Sequence, residues 1–517
     1  MKWRALLLSA WLAAGGVAAA ERINHEGRIL GPAPMVNAPL LFNTIQADTV
    51  VSAMQITPVD SAWNEDVSRR PLLANSDAMI AQITADLLPS RRTLRPFFEM
   101  NYVLVPDSQP RVSINFFMYA AESDLDGGTF PNGLYPIPSI LPIESWPVET
   151  GSLTLSQWQQ DTTNLGGDRH SIMVMPGPGN IWETWLTKLV SGAWRASNGA
   201  RFDLNSNTLR PAGWTSADAA GLPMFPAIVR YDECQRGMVE HALRLVVFQS
   251  RLGPIYPATH AASVNATNDP NIPAMGQRVR LKASFVIPSN WTTEEKAILL
   301  ALKKCGALVA DNGNFFSVSV CPDDRFPAGA FDHLSTISIS NFEVVQSTGP
   351  AEGPRSPGAP TANAGPDQVV SMTMPTILAG NVNAPLGNAT VRWRMYTGPA
   401  PTTFGDSTAA TTTATFGTPG SYTLMLSADD GTHAVAYDAT AVQVNIPLAA
   451  QRSGNDASVQ FPSMVGQRYR VEHTGDLAAG PWILLVDNLA GTGSILQIPH
   501  PNAVALGSQF YRVLILP

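Results

Sequence analysis

Proline and glycine interrupt this chain throughout, with 42 prolines and 40 glycines spread over 517 residues. Proline removes a backbone donor and glycine raises the entropic cost of ordering, so long uninterrupted helices are excluded. The sequence is also short of charge, with 14% Asp, Glu, Lys and Arg, against about 25% in an average soluble domain. Coiled coils and helical bundles, which depend on those residues, do not fit. An apolar content of 45% equally excludes intrinsic disorder. The expectation is a mainly β protein: a large β-rich N-terminal domain, jelly-roll or sandwich-like with a few helices, followed by two small β-sandwich modules. About three domains suit the length at roughly 150 residues each. A net charge of −8 offers no positive excess to displace counterions from phosphates, so no nucleic acid is expected as a partner.

The first twenty residues read as an export signal. Lys2 and Arg4 precede an apolar run from Ala5 to Leu12, and Ala18, Ala19 and Ala20 lead to a cleavage point before Glu21. That run is too short to cross a bilayer. The mature chain is therefore expected to be secreted, extracellular or periplasmic, with no transmembrane segment. Cys234, Cys305 and Cys321 are too few for a disulfide framework. Either Cys305 and Cys321 pair and leave Cys234 over, or all three are thiols.

Period-two apolar runs mark strands at Arg111–Tyr119, His241–Phe248 and Arg278–Ile287. One helix is expected over Ser76–Leu88, capped by Ser76, with Met79, Ile80 and Ile83 on one face. A second is expected over Thr293–Cys305, with Thr292 or Thr293 as cap, Lys303 and Lys304 in the last turn and Gly306 as the stop. Residues 347–361 read as a semi-rigid Pro/Gly linker closing a large domain of residues 21–346.

Beyond the linker, ANAGPDQVV, WRMYTGPAP and PGSYTLMLSADDG give residues 362–446 a pattern that resembles PKD-type immunoglobulin-like domains. The resemblance implies a small sandwich, with Tyr422, Leu424 and Leu426 facing inward beside Trp393. Residues 455–517 carry GQRYRVEHTGDL, Trp482 and a closing FYRV. They resemble the short β-domains that end many exported bacterial proteins.

Chemistry is sought in the large domain, where aromatic, basic and acidic residues crowd around Gly199–Glu233. This arrangement resembles a family of secreted bacterial proteins without an assigned activity, which transfers no mechanism. Trp214 is a candidate platform for the apolar face of a sugar, with Asp218 beside it as a hydroxyl acceptor. The competing reading is a structural loop packed by its own Trp. Glycoside hydrolysis needs two carboxyl groups about one bond, and Glu122, Asp124, Glu144, Asp168, Glu183, Asp203, Asp232 and Glu233 are the available acids. Glu183 and Asp232 stand as the catalytic candidates. Asp232 and Glu233 face opposite ways if they lie on a strand.

His170, His241 and His260 come from separate segments. They either supply a general base beside Arg230, Arg244 and Lys282 or converge on a metal. No HxH or HExxH spacing pre-organises a metal site, so no metal and no cofactor is assigned. A lyase would take its base from His170, His260 or Tyr231, with Lys282 or Arg230 neutralising a uronate. Cys234 follows two acids that would raise its pKa, which argues against a thiol nucleophile. The expectation is a secreted protein acting on a polysaccharide by hydrolysis or β-elimination. The alternative is a non-catalytic glycan-binding or cell-surface protein.

Overall fold

The period-two runs do become strands, each shorter than its apolar extent. Arg111–Tyr119 contributes Val112–Phe116, His241–Phe248 contributes Leu243–Val247, and Arg278–Ile287 contributes Arg278–Leu281. The shortening has local causes. Ala242 gives its N–H to Trp63 O at 2.7 Å instead of to a ladder, and Phe285 closes a turn onto Lys282 O at 3.0 Å. The computed structural model describes residues 21–163, 167–262, 267–372 and 374–516. The expected export signal lies outside them. Two compact units form: Arg22–Ala359 with Gly431–Ala434, and Pro360–Asp430 with Val435–Pro517. The protein is mainly β, and among the described residues no helix is long and apolar enough to cross a membrane.

The large unit is built on a six-stranded sheet. Its order is Phe342–Val344, Arg278–Leu281, Ala307–Asn312, Leu243–Val247, Phe316–Val320 and Leu94–Phe98. Leu243–Val247 runs parallel to Ala307–Asn312, and Phe316–Val320 runs parallel to Leu94–Phe98. Such parallel pairs distinguish it from an antiparallel jelly roll. The helix Thr293–Lys304 starts at a capping box in which Thr292 and Glu295 bond each other's backbone N–H. It buries Ala297, Ile298, Leu299, Ala301 and Leu302 in the same core as Leu243, Leu245 and Val309. Gly306 follows at φ +66°, where an added Cβ would lie 2.6 Å from Val279 O. The helix Ser76–Asp86 buries Met79, Ile80 and Ile83 as expected, but Asn75 occupies the cap position. Ser76 is the first helical residue, and its hydroxyl accepts from Val344 N at 2.8 Å.

A five-stranded sheet follows the order Leu40–Leu41, Val103–Leu104, Ser171–Met175, Asn180–Trp185 and Asn198–Asp203. A four-stranded sheet follows Asn132–Tyr135, Val112–Phe116, Ala193–Ala196 and Lys188–Val190. All three cysteines are free and buried, and burial pushes each thiol well above its ordinary pKa. Residues 347–359, expected to run as an extended linker, belong to the large unit. Arg355 holds them there through Asp60 O at 2.8 Å and Glu65 at 3.3 Å, with Tyr256 beneath its guanidinium.

In the second unit, residues 360–446 form a β-sandwich. One sheet runs Gln368–Ser371, Ala436–Asn445, Gly420–Asp429, Thr390–Thr397, and the other Thr376–Ala379, Thr411–Phe416, Thr402–Phe404. Tyr422, Leu424 and Leu426 do face the core with Trp393. The last module pairs Arg468–Thr474 with Ile483–Ala490 and Phe510–Leu516, around Phe461, Tyr469, Val471 and Ile498. Trp393→Ala removes the largest buried side chain of the middle sandwich, along with its Nε1–H bond to Ala410 O at 2.9 Å. The expected cost is about 3–5 kcal/mol, read by urea denaturation of the full chain as an earlier transition for the second unit alone.

Candidate functional site

Four adjacent strands of the six-stranded sheet deliver polar side chains to one point. Arg244 comes from Leu243–Val247, Asp311 from Ala307–Asn312 and Ser319 from Phe316–Val320, while Glu99 directly follows Leu94–Phe98. Asp311 arrives through a β-bulge. The register passes from Leu245 opposite Val309 to Val246 opposite Asp311, leaving Ala310 unmatched. In parallel strands, matched residues share a face. The extra residue therefore turns Asp311 to the side of Val246 and Arg244, where regular pairing would point it away.

The Arg244 guanidinium is the hub of this cluster. Its Nε and Nη2 bond the two Asp218 oxygens at 3.0 Å each, Nη2 reaches Asp311 at 2.7 Å, and Nη1 reaches Ser319 Oγ at 3.2 Å and Glu99 at 3.5 Å. Side-chain exposure divides the group. Arg244 and Asp218 retain 2% and 1%, whereas Glu99 and Asp311 retain 25% and 23%. Two partly exposed carboxylates thus bond one buried cation. Burial pushes Glu99 up to about 7, against the pull of Arg244 and with a push from Glu144. Burial also raises Asp311, again against Arg244 and with Asp218 adding to the rise.

Asp218 sits on the loop of residues 214–225, and that loop is held at several points. The Ser216 hydroxyl accepts from Asp218 N at 2.9 Å and donates to Leu222 O at 2.6 Å. Gly221 has φ +73°, and an added Cβ there would lie 2.1 Å from Thr259 Oγ1, so only glycine fits. His170 donates through Nε2 to Ala217 O at 3.0 Å and pairs through Nδ1 with Glu144 at 3.0 Å. Burial alone would lower its pKa, but Glu144 carries it up to about 9, so it is an imidazolium at neutral pH. Glu183 accepts the N–H groups of Met224 and Phe225 at 2.9 and 2.8 Å. Its burial raises it to about 7 in spite of those donors. His260 donates through Nδ1 to Ala219 O at 2.7 Å.

The structure therefore gathers His170, Glu183, His260 and Asp218 about one loop, with Trp214 at its start. Trp214 is half-buried and lies beneath the Arg210 guanidinium at 5.6 Å. Asp232, Arg230 and Tyr231 go elsewhere. Tyr231–Arg236 is a helix, so the strand geometry considered for Asp232 and Glu233 does not apply. Asp232 pairs with Arg236 at 2.6 Å and accepts from Ser52. Glu233 pairs with Arg230 at 2.6 Å and His241 at 3.2 Å, and despite its burial these cations hold it well below the usual carboxylate range. Tyr231 lies under Arg325 at 4.2 Å, and Lys282 donates to Ser340 O at 2.9 Å. His170, His241 and His260 each answer to different partners. Among the described residues, no three or more His, Cys, Asp or Glu side chains are grouped to hold a metal.

Glu99 and Asp311 were absent from the acids singled out in the sequence. Asp311 lies just before the end of its strand, and its orientation depends on a bulge that leaves no local signal. Glu99 lies beyond the end of a strand and acquires meaning only when Arg244 meets it. A second feature lies near Trp214: an open groove of about 500 Å³ lined by Asp124, Asp126, Arg201, Asp203 and Arg210. Arg210 links the two regions, since it pairs with Asp124 and donates through Nε to Thr215 O at 2.8 Å.

No family model matches the chain, and no curated protein matches it either. Among solved structures, the PKD domain from KIAA 1837 protein is similar at 20% identity, covering 19% of this chain and 98% of that one, with a TM-score of 0.15. The DIP-gamma IG1+IG2 structure is similar at 14% identity, covering 30% of this chain and 94% of that one, with a TM-score of 0.14. The resemblances drawn for the N-terminal domain and the last module gain nothing from these matches.

The His170 clamp has a pH signature. Its pKa is raised on folding from an ordinary 6.5 to about 9, so its contribution is complete below 6.5 and is lost as pH rises through 9. Glu144, Asp168 and Arg244 are the charged groups acting on it. The thermal midpoint of the large unit is expected to fall across that window, and His170→Gln should flatten the fall.

Proposed function

We propose that the large unit is a polysaccharide hydrolase working in an exported protein, with Glu99 and Asp311 as its proton-transfer pair. The observation that carries this reading is the pairing of both partly exposed carboxylates with the single Arg244 guanidinium, itself already held by buried Asp218. One positive charge does not balance three neighbouring carboxylates, and Glu99 is the one raised far enough to keep a proton near neutral pH. Glu99, raised to about 7, serves as the acid that protonates the departing glycosidic oxygen. Asp311 serves as the base that takes a proton from the attacking water. His170 and Glu183 act through the loop they hold, and His260 borders it.

Hydrolysis suits this geometry better than β-elimination. A lyase needs an available cation for the uronate, whereas Arg244 is fully engaged by carboxylates and Lys282 and Arg230 lie on other networks. Release of reducing ends from neutral polysaccharides tests the reading. Glu99→Gln and Asp311→Asn are each expected to lower kcat by about 10²–10⁴-fold with the fold retained. Wild-type rates in both variants would sink it, as would the absence of product from neutral and uronic polysaccharides at high enzyme load. The groove at Asp124, Arg201 and Asp203 favours a second reading, glycan binding without catalysis. In that case Arg201→Ala with Asp203→Ala would abolish binding on a glycan array, and Glu99→Gln would not affect it.

A further inference from the structure

The outer face of the four-stranded sheet carries an arrangement that stability does not explain. Lys188 and Arg195 are directly opposite each other in the antiparallel ladder. Like charges in that position are destabilising, and neither has a carboxylate partner among the described residues. The chain as a whole is acidic, at −8, so unpaired cations placed side by side stand out. Both converge on one exposed ring: Lys188 Nζ lies 5.3 Å and Arg195 Cζ 5.5 Å from the centroid of Phe117.

The same row continues across the sheet. Asn115 is in register with Arg195, and Asn132 with Asn115. Asn115 Nδ2 donates to Asn132 Oδ1 at 3.0 Å, which leaves Asn115 Oδ1 and Asn132 Nδ2 facing outward. Residues of alternate parity, Ile114, Phe116, Trp194 and Ala196, are buried on the other side, so the polar row is a consequence of strand pleating. Three strand spacings make it about 14 Å wide. Tyr119, 39% exposed, flanks the row and leans on Trp185 at 6.2 Å.

We propose that this row is a binding strip for an anionic polysaccharide, one bearing carboxylate or sulfate groups. Lys188 and Arg195 take the anion, Phe117 takes the apolar face of a sugar ring, and the two asparagines bond its hydroxyls. A flat row with outward amides suits a polymer of hydroxylated rings better than a bilayer, which would select for more cations and a protruding apolar edge. The strip is separate from Glu99 and Asp311, and its occupation does not require that pair to be catalytic.

Affinity electrophoresis of the full chain tests the proposal, using gels that contain polygalacturonate, a sulfated galactan or a neutral galactan. Retardation is expected in both acidic gels and not in the neutral one, weakening as salt is added. Lys188→Ala with Arg195→Ala should weaken binding at least tenfold without lowering the thermal midpoint, because a repulsive pair has been removed. Phe117→Ala should weaken binding and keep its salt dependence, and Glu99→Gln should leave it unchanged. Three results would overturn the strip: wild-type retardation in the double variant, equal retardation by the neutral galactan, or binding to anionic lipid vesicles but to neither acidic polymer. A double variant that loses binding together with thermal stability would also overturn it, since the cations would then be structural.

Discussion

One buried guanidinium sets the terms for the large unit. Arg244 is out of water, and an arginine in that position is tolerated only when its donors are met by acceptors with good geometry. Asp218 supplies a two-point bond, Asp311 and Glu99 supply the remainder, and Ser319 fills a further donor. These partners come from three neighbouring strands and one loop. The six-stranded sheet and the 214–225 loop are therefore tied at a single atom group. The same excess of acid over base leaves Glu99 raised to about 7 beside the cation.

The loop that carries Asp218 shows how supporting residues can look catalytic. His170 and Glu183 are buried, titratable and strongly shifted, the properties commonly sought in an active site. Yet His170 Nε2 and the Glu183 oxygens are spent on backbone groups of the loop, at Ala217 on one side and at Met224 and Phe225 on the other. A protonated imidazole and a carboxylate thus clamp the two sides of one segment. The Arg230–Glu233–His241 network repeats the pattern elsewhere, pairing its charges within the fold.

What could be read from the sequence was what depends on near neighbours. The alternation of Tyr422, Leu424 and Leu426, a threonine cap at Thr292 or Thr293, and the Gly306 stop are all local signals, and the structure settles the cap on Thr292. His170, Glu183 and Asp218 were recognisable as polar residues in apolar surroundings, but nothing near them in sequence says that they share a loop. Strand ends fall short of the apolar runs where a tertiary bond takes a backbone donor, as with Ala242 and Trp63. The linker residues were misjudged for a similar reason. Arg355 finds Glu65 and Tyr256, and a Pro/Gly-rich composition gives no hint of so distant a partner.

The bulge at Ala310 has a consequence for how such a centre is gained or lost. Whether Ala310 is bulged out or takes a place in the ladder decides whether Asp311 shares a face with Arg244. Pairing Ala310 with Val246 would swing the carboxylate to the opposite side, whereas deleting Ala310 would leave the aspartate directly after Val309, still opposite Val246 and on the side of Arg244. The placement of this carboxylate thus depends on local pairing rather than on the identity of any residue that touches the guanidinium. Relatives that keep every polar residue but take the residue before the aspartate into the ladder would share the architecture and lose this placement of the carboxylate.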